Sequence, residues 1–295
     1  MRAALLLACA ALAMPACGRA PQPAPDLPAY REFGAPQRVT LRGYDGDAME
    51  PFITRDNRYL LFNNRNDPRI DTRLHFAERV DDLSFDYRGE IAGTNTPALE
   101  GVPSQDRHGN LFFVSTRRYG ETLSTLYRGR FDDGRTNRIE LVPGVSRRQP
   151  GSLSFDAEIS ADGDTLYLAE GRFAGGAMPE SADLDIAVRE GERFRRLPAA
   201  QGIFRHINTP DLEYAPALSA DQNELFFTRY ARGGAGGVPV ILRATRSGRD
   251  APFNTPQRVA AIDGHAEAPS LTQDGRALYF HKLEAGRFAI FRVAR

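Results

Sequence analysis

Five acidic residues stand at comparable places along this 295-residue chain: Glu50, Glu100, Asp156, Glu213 and Glu267. Each lies one to three residues before a proline or, for Asp156, before Ala157, where the other copies carry proline. Two carboxyls brought face to face do acid–base or nucleophilic work, glycosidic bond cleavage being the type case. Kept apart, the same carboxyls accept hydrogen bonds from backbone N–H groups at strand starts. Side chains alternate along an extended strand, so acids one and three residues before the proline share a face and one two residues before it faces away. Glu50, Glu100, Asp156 and Glu213 are therefore expected to point alike, and Glu267 differently.

Other reactive patterns are missing. The sequence holds no Gly-x-Ser-x-Gly elbow, no His-Glu-x-x-His, no P-loop and no cysteine nucleophile. Histidines 75, 108, 206, 265 and 281 are scattered singly and are expected in loops or at the surface, not as metal ligands. Asp45, Asp47 and Glu50, like Asp162 and Asp164, read as acidic turns, since no complete calcium-loop pattern surrounds them. No metal and no cofactor is implied. The 38 basic residues balance 38 acidic ones, and without a basic stripe the sequence carries no footprint for nucleic acid.

The acids belong to a recurring unit. In its clearest copy Pro269 opens a strand, Ser270-Leu271-Thr272 alternates polar with apolar, Asp274-Gly275 makes a tight turn, and Leu278-Tyr279-Phe280 is an apolar β-rich run. The frame recurs around turn residues Asp56, Asp162 and Asp221, and more loosely around Asp106, where the turn is shifted or one residue longer. From 56, 106, 162, 221 and 274 the intervals are 50, 56, 59 and 53 residues, enough for four short strands and their turns. Apolar runs at 67–76, 118–131, 183–194, 238–244 and 287–293 supply a further strand per unit, and the glycine-rich stretches 171–179 and 233–237 read as loops. Phe33-Gly34-Ala35-Pro36-Gln37-Arg38-Val39 repeats as Phe253-Asn254-Thr255-Pro256-Gln257-Arg258-Val259, yet no unit precedes the first copy. It is expected to complete the last unit and so close a ring without a free edge.

The pattern of acid, proline, serine, Asp-Gly and Leu-Tyr-Phe resembles the WD40-like (PD40) repeat of TolB-type β-propellers, over roughly residues 33–295. Departures are Ala157 in the third copy and the missing turn glycine in the first and fourth. The resemblance implies an all-β fold, a single propeller of five four-stranded blades over 30–295, closed by the N-terminal strand. It also implies a non-catalytic, monomeric scaffold that binds an envelope protein or a glycan. On this reading the five acids are binding candidates at the mouth of the central channel, where inner strands begin. The alternative is a five-bladed glycoside hydrolase using inner-strand carboxylates. Repetition of the acids with the unit favours the binding reading, as does the absence of tryptophan, the commonest sugar-stacking side chain.

Residues 1–16 have the form of a secretory signal, with one charge at Arg2 and a short apolar run. Ala16-Cys17-Gly18 is similar to the end of a bacterial lipobox, which would make Cys17 a lipidation site, although Met14 stands where leucine is usual. Residues 17–29 are a proline-rich tether. The expectation is an exported periplasmic protein held to a membrane only through its lipid. Both cysteines, Cys9 and Cys17, lie in this leader, so the domain is built without disulfides. Cys17→Ser is expected to move the protein from the membrane fraction to the soluble envelope fraction; a wild type that is fully soluble on fractionation would leave only a cleaved leader.

Overall fold

The computed structural model describes residues 27–66, 71–176, 178–231 and 237–295, and the leader and Cys17 lie outside them. The second strand of every unit is apolar at consecutive positions, which in an extended chain means burial on both faces. Leu60 and Phe62 join one hydrophobic cluster and Leu61 another; Leu111 and Phe113 are parted from Phe112 in the same way, as are Leu278 and Phe280 from Tyr279. Among the described residues the buried side chains sort into five such clusters, each filled from two neighbouring blades. A β-sheet packed on both sides by its neighbours must be a blade within a ring.

The strands confirm this arrangement. The first blade is Met49–Ile53, Tyr59–Asn63, Leu74–Arg79 and Ser84–Glu90, and the second is Glu100–Gln105, Asn110–Ser115, Leu126–Asp132 and Arg135–Leu141. The third is Ser152–Ile159, Thr165–Arg172, Ser181–Glu190 and Arg193–Arg196, and the fourth is Leu212–Leu218, Glu224–Tyr230, Val240–Thr245 and Gln257–Val259. The fifth joins Ala266–Leu271, Ala277–Glu284 and Arg287–Ala294 to Gln37–Arg38 from the start of the chain. The five innermost strands neighbour one another in cyclic order, the fifth beside the first. The molecule is an all-β propeller.

Closure follows the sequence repeat. Gln37 and Arg38 pair antiparallel with Arg292 and Phe291, as Gln257 and Arg258 pair with Arg243 and Leu242 one blade earlier. The same segment does more than the repeat implied. Ala29–Tyr30 runs parallel to Gln257–Val259 of the fourth blade, and Thr40–Arg42 runs parallel to Ser84–Glu90 of the first. Fourteen residues thus span three blades.

Two expectations need correction. Pro269 does not open its strand; it sits inside Ala266–Leu271, in a β-bulge between Glu267 and Ser270, a place where a missing N–H costs no ladder bond. In the second blade Asp106 does not occupy the turn-aspartate place. Gln105 pairs with Leu111 where Ile53 pairs with Leu60, so this turn is one residue shorter, and Asp106 accepts the Asn110 N–H (2.9 Å) as Thr54 accepts that of Tyr59 (2.9 Å). The turns without glycine keep the left-handed backbone: Asn57 (φ 58°) and Gln222 (φ 63°) match Gly163 and Gly275.

Tyr30, Phe33 and Val39 are buried, at roughly 1.5–3 kcal/mol each. Deleting residues 30–42 is expected to abolish the cooperative melting transition by circular dichroism; an unchanged transition would show that the segment does not close the ring.

Candidate functional site

The inner strands bend at their bulges. In four blades the residue before the proline takes a left-handed backbone, namely Glu50 (φ 50°), Val102 (55°), Ala215 (51°) and Ala268 (53°). Each such pair, residue plus proline, faces a single buried phenylalanine of the second strand: Phe62, Phe113, Phe227 or Phe280. The third blade, with Ala157 for proline, moves its bulge to between Ser154 and Asp156 and has no left-handed residue there. One extra residue per strand breaks the strict alternation of faces. The expected grouping of the acids therefore fails, and they divide into two sets.

Glu100 and Glu213 turn to the loops leading into their own strands. Glu100 accepts from the Thr96 N–H (2.9 Å), the Thr96 hydroxyl (2.8 Å), Ser115 Oγ (2.9 Å) and Arg117 (3.1 Å). Glu213 accepts from the Thr209 N–H (3.0 Å), its hydroxyl (2.7 Å) and Arg229 Nε (2.7 Å). Burial pushes both carboxyls up, opposed by these bonds. The sequence does contain a signal for this clamp. Asn-Thr-Pro-x-Leu-Glu occurs at both 95–100 and 208–213, and Asn95 and Asn208 each bridge the backbone N–H and C=O of a third strand, at Leu74 and Leu184.

Glu50, Asp156 and Glu267 instead converge near the axis, from the first, third and fifth blades. The link between the first and last is His281, buried, contrary to the surface place expected for it; His75 is buried too, its ring pushed down to about 4 by desolvation. The Glu50 backbone N–H donates to His281 Nδ1 (3.1 Å), which leaves the ring proton on Nε2 to donate to Glu267 (3.1 Å). Glu267 also meets His265 Nε2 (3.2 Å) and the Tyr214 hydroxyl. Burial raises its pKa, but the bonds from His265 and His281 outweigh that and hold Glu267 well below the usual carboxylate range. Glu50 has only a long contact from Asn66 (3.4 Å). Burial, then the nearby Asp156 and Glu267, push it up to about 8, against the pull of His281 and Asn66. Asp156 is likewise pushed up to about 8 by burial and by Glu158 and Glu267, against the backbone N–H groups of Ala157 and Ala215. The surroundings thus favour the ionised form of Glu267 and the protonated forms of Glu50 and Asp156.

Along the axis Arg55 from the first blade crosses to the second and third. Its guanidinium donates to the Gln105 carbonyl (3.0 Å), the Ile159 carbonyl (2.8 Å) and Glu158 (2.9 Å), and Glu158 in turn accepts the Leu218 N–H (3.2 Å). Both side chains are buried. The channel between Arg55 and the acids is lined by Pro51, Pro103, Ala157, Pro216 and Pro269 and leaves about 20 Å³ of water-accessible space, one water's worth. Among the described residues no cluster of acids, histidines or cysteines is arranged to hold a metal ion. Asp47, expected in an acidic turn, pairs with Arg65 (3.1 Å) and accepts the Phe288 N–H (2.7 Å).

No protein-family model and no curated protein matches this sequence. Solved structures do. A glycoside hydrolase is 10% identical with a TM-score of 0.56, over 87% of this chain and 89% of that one. The catalytic domain of an α-L-arabinofuranosidase from Coprinopsis cinerea is 9% identical with a TM-score of 0.54, over 90% and 95%. TolB from Acinetobacter baumannii is 12% identical with a TM-score of 0.45, over 85% of this chain; the present chain spans 55% of that protein. Identities this low speak to fold alone, and the fold shared with the glycoside hydrolase and the arabinofuranosidase domain is the β-propeller.

Two outcomes follow from the geometry. Arg55→Met strands a buried Glu158 and is expected to cost about 3–5 kcal/mol in denaturant melts. Because folded Glu50 and Asp156 hold protons that the unfolded chain releases near pH 4, stability is expected to fall as pH rises from about 4 to about 8. The double variant Glu50→Gln, Asp156→Asn should melt with a flatter pH profile over that range; an identical slope would show that these carboxyls are not the source.

Proposed function

We propose that the protein is a non-catalytic binding propeller, exported to the cell envelope and anchored through Cys17, which docks an envelope protein or a glycan on the face where its inner strands begin. The observation that carries this reading is the axial channel. Its carboxyls are buried, and the space beside them admits about one water, where a hydrolase needs room for a sugar ring. Glu100 and Glu213 serve their own loops, so the recurrence of acids reflects blade construction. On this reading the binding surface is polar: Val80 is the single large hydrophobic side chain exposed among the described residues.

One observation favours a second reading, a five-bladed glycoside hydrolase. Glu50, Asp156 and Glu267 come from three blades, and their environments drive their proton affinities apart, the condition for separate acid and base roles. The two readings separate in one assay. Wild-type protein incubated with a panel of aryl glycosides and oligosaccharides is expected to release no product, while capturing a partner from its own envelope extract. Turnover that disappears in Glu50→Gln or Asp156→Asn, with the melting temperature intact, would establish the hydrolase instead.

A further inference from the structure

A second, larger cavity of about 410 Å³ opens on the same face but away from the axis, between the third blade and the loop leading into the fourth. One wall is a rigid charged frame. Arg147 pairs with Glu170 (3.1 Å) and Asp185 (2.9 Å), and Arg196 pairs with the same two carboxylates at 2.8 and 2.5 Å. Four charges that satisfy one another hold their positions without recruiting solvent or ligand. The groups left over face the cavity. No hydrogen bond or ion pair among the described residues engages the Asp183 carboxylate or the Gln201 amide, and Arg172 has only a loose contact with Glu180 (3.8 Å). Ser152 and Ser181 add hydroxyls to the lining.

The chemistry of this set is specific. A carboxylate, a primary amide, a guanidinium and two hydroxyls offer donors and acceptors of both kinds beside apolar surface of comparable extent, and no aromatic side chain lines the walls. An anion would meet Asp183 and Asp185; a simple cation would meet Arg147 and Arg172. Neutral hydroxyl groups, which donate to carboxylates and amide oxygens and accept from guanidinium, suit all of them at once. The volume lies within the range of small-molecule sites and accommodates one or two sugar rings. Gly171 and Arg172, read from the sequence as the start of a glycine-rich loop, instead end the second strand of the third blade and form part of this wall.

We infer that the cavity bounded by Asp183, Gln201 and Arg172 is a carbohydrate-binding subsite for one or two neutral sugar units, which rests on the binding reading given above and selects the glycan from its two partner classes. Asp183 and Gln201 hold the hydroxyls, and the Arg147–Glu170–Asp185–Arg196 frame keeps the pocket open in the absence of ligand.

Saturation-transfer NMR and calorimetric titration with maltose, cellobiose and chitobiose test it, on full-length mature protein. At least one disaccharide should bind wild type with millimolar affinity, and Asp183→Ala or Gln201→Ala should weaken it about tenfold while the melting temperature holds. Arg88→Gln, on the outer strand of the first blade, should leave the affinity unchanged. Disaccharide binding that survives Asp183→Ala and Gln201→Ala but is lost in Glu50→Gln would move the sugar to the channel and overturn the subsite. Failure of all three sugars to bind wild type would also overturn it, while capture of an envelope protein in the same preparation would leave the binding reading standing. Hydrolysis of any of the three would refute that reading instead.

Discussion

At the axis of this propeller a single guanidinium takes the place of the water that a wider channel would hold. Arg55 reaches from the first blade to carbonyls of the second and third, and its ion-pair partner Glu158 accepts a backbone N–H of the fourth. Desolvating two charges is costly unless each finds further hydrogen bonds, and here both do. The same position on neighbouring inner strands works more simply elsewhere: Ser104 Oγ accepts the Ile159 N–H (2.9 Å) and Ser270 Oγ accepts that of Ile53 (3.1 Å). Three of the interfaces between inner strands are thus latched from one strand position, with Glu158 as the charged variant. That latching lets the prolines close around the axis and leaves a narrow channel there.

Hydrophobic packing and strand pairing support the ring in different ways. The five interblade clusters supply the non-directional part of the stability, drawn from consecutive apolar residues in each second strand. The N-terminal segment supplies the directional part. By pairing with the fourth, fifth and first blades it covers three outer edges that would otherwise offer free N–H and C=O groups to another chain. A propeller closed by stitching of this kind opens only if several blades let go together.

The acids illustrate how repetition and function separate. Glu100 and Glu213 share a six-residue frame, the same threonine contacts and an arginine from the end of the second strand or just past it, which is construction common to two blades. Glu50, Asp156 and Glu267 share only proximity to the axis, and their proton affinities diverge because one has three donors and the others have few. The unpaired carboxylate of Asp183, by contrast, lies off the axis in a blade whose loops depart from the repeat.

The architecture was legible in the sequence because it rests on local, repeated chemistry. Turn residues, the apolar run that must be buried on both faces, and the duplicated Phe-x-x-Pro-Gln-Arg-Val segment each dictate a short piece of backbone, and repetition at blade spacing leaves a closed ring as their common solution. The turn at Asp106 was misaligned because a one-residue deletion leaves the composition of a turn intact. The facing of the acids was not legible, because a bulge adds one residue without any mark in the residue types except proline, and one added residue exchanges the faces of all that precede it. Nor could spacing announce that Arg55 would meet Glu158, or His281 meet Glu50, across more than a hundred residues of intervening chain. Those contacts exist only where five separate strands arrive at one axis, and there the buried setting, not the identity of each side chain, determines which carboxyl keeps its proton.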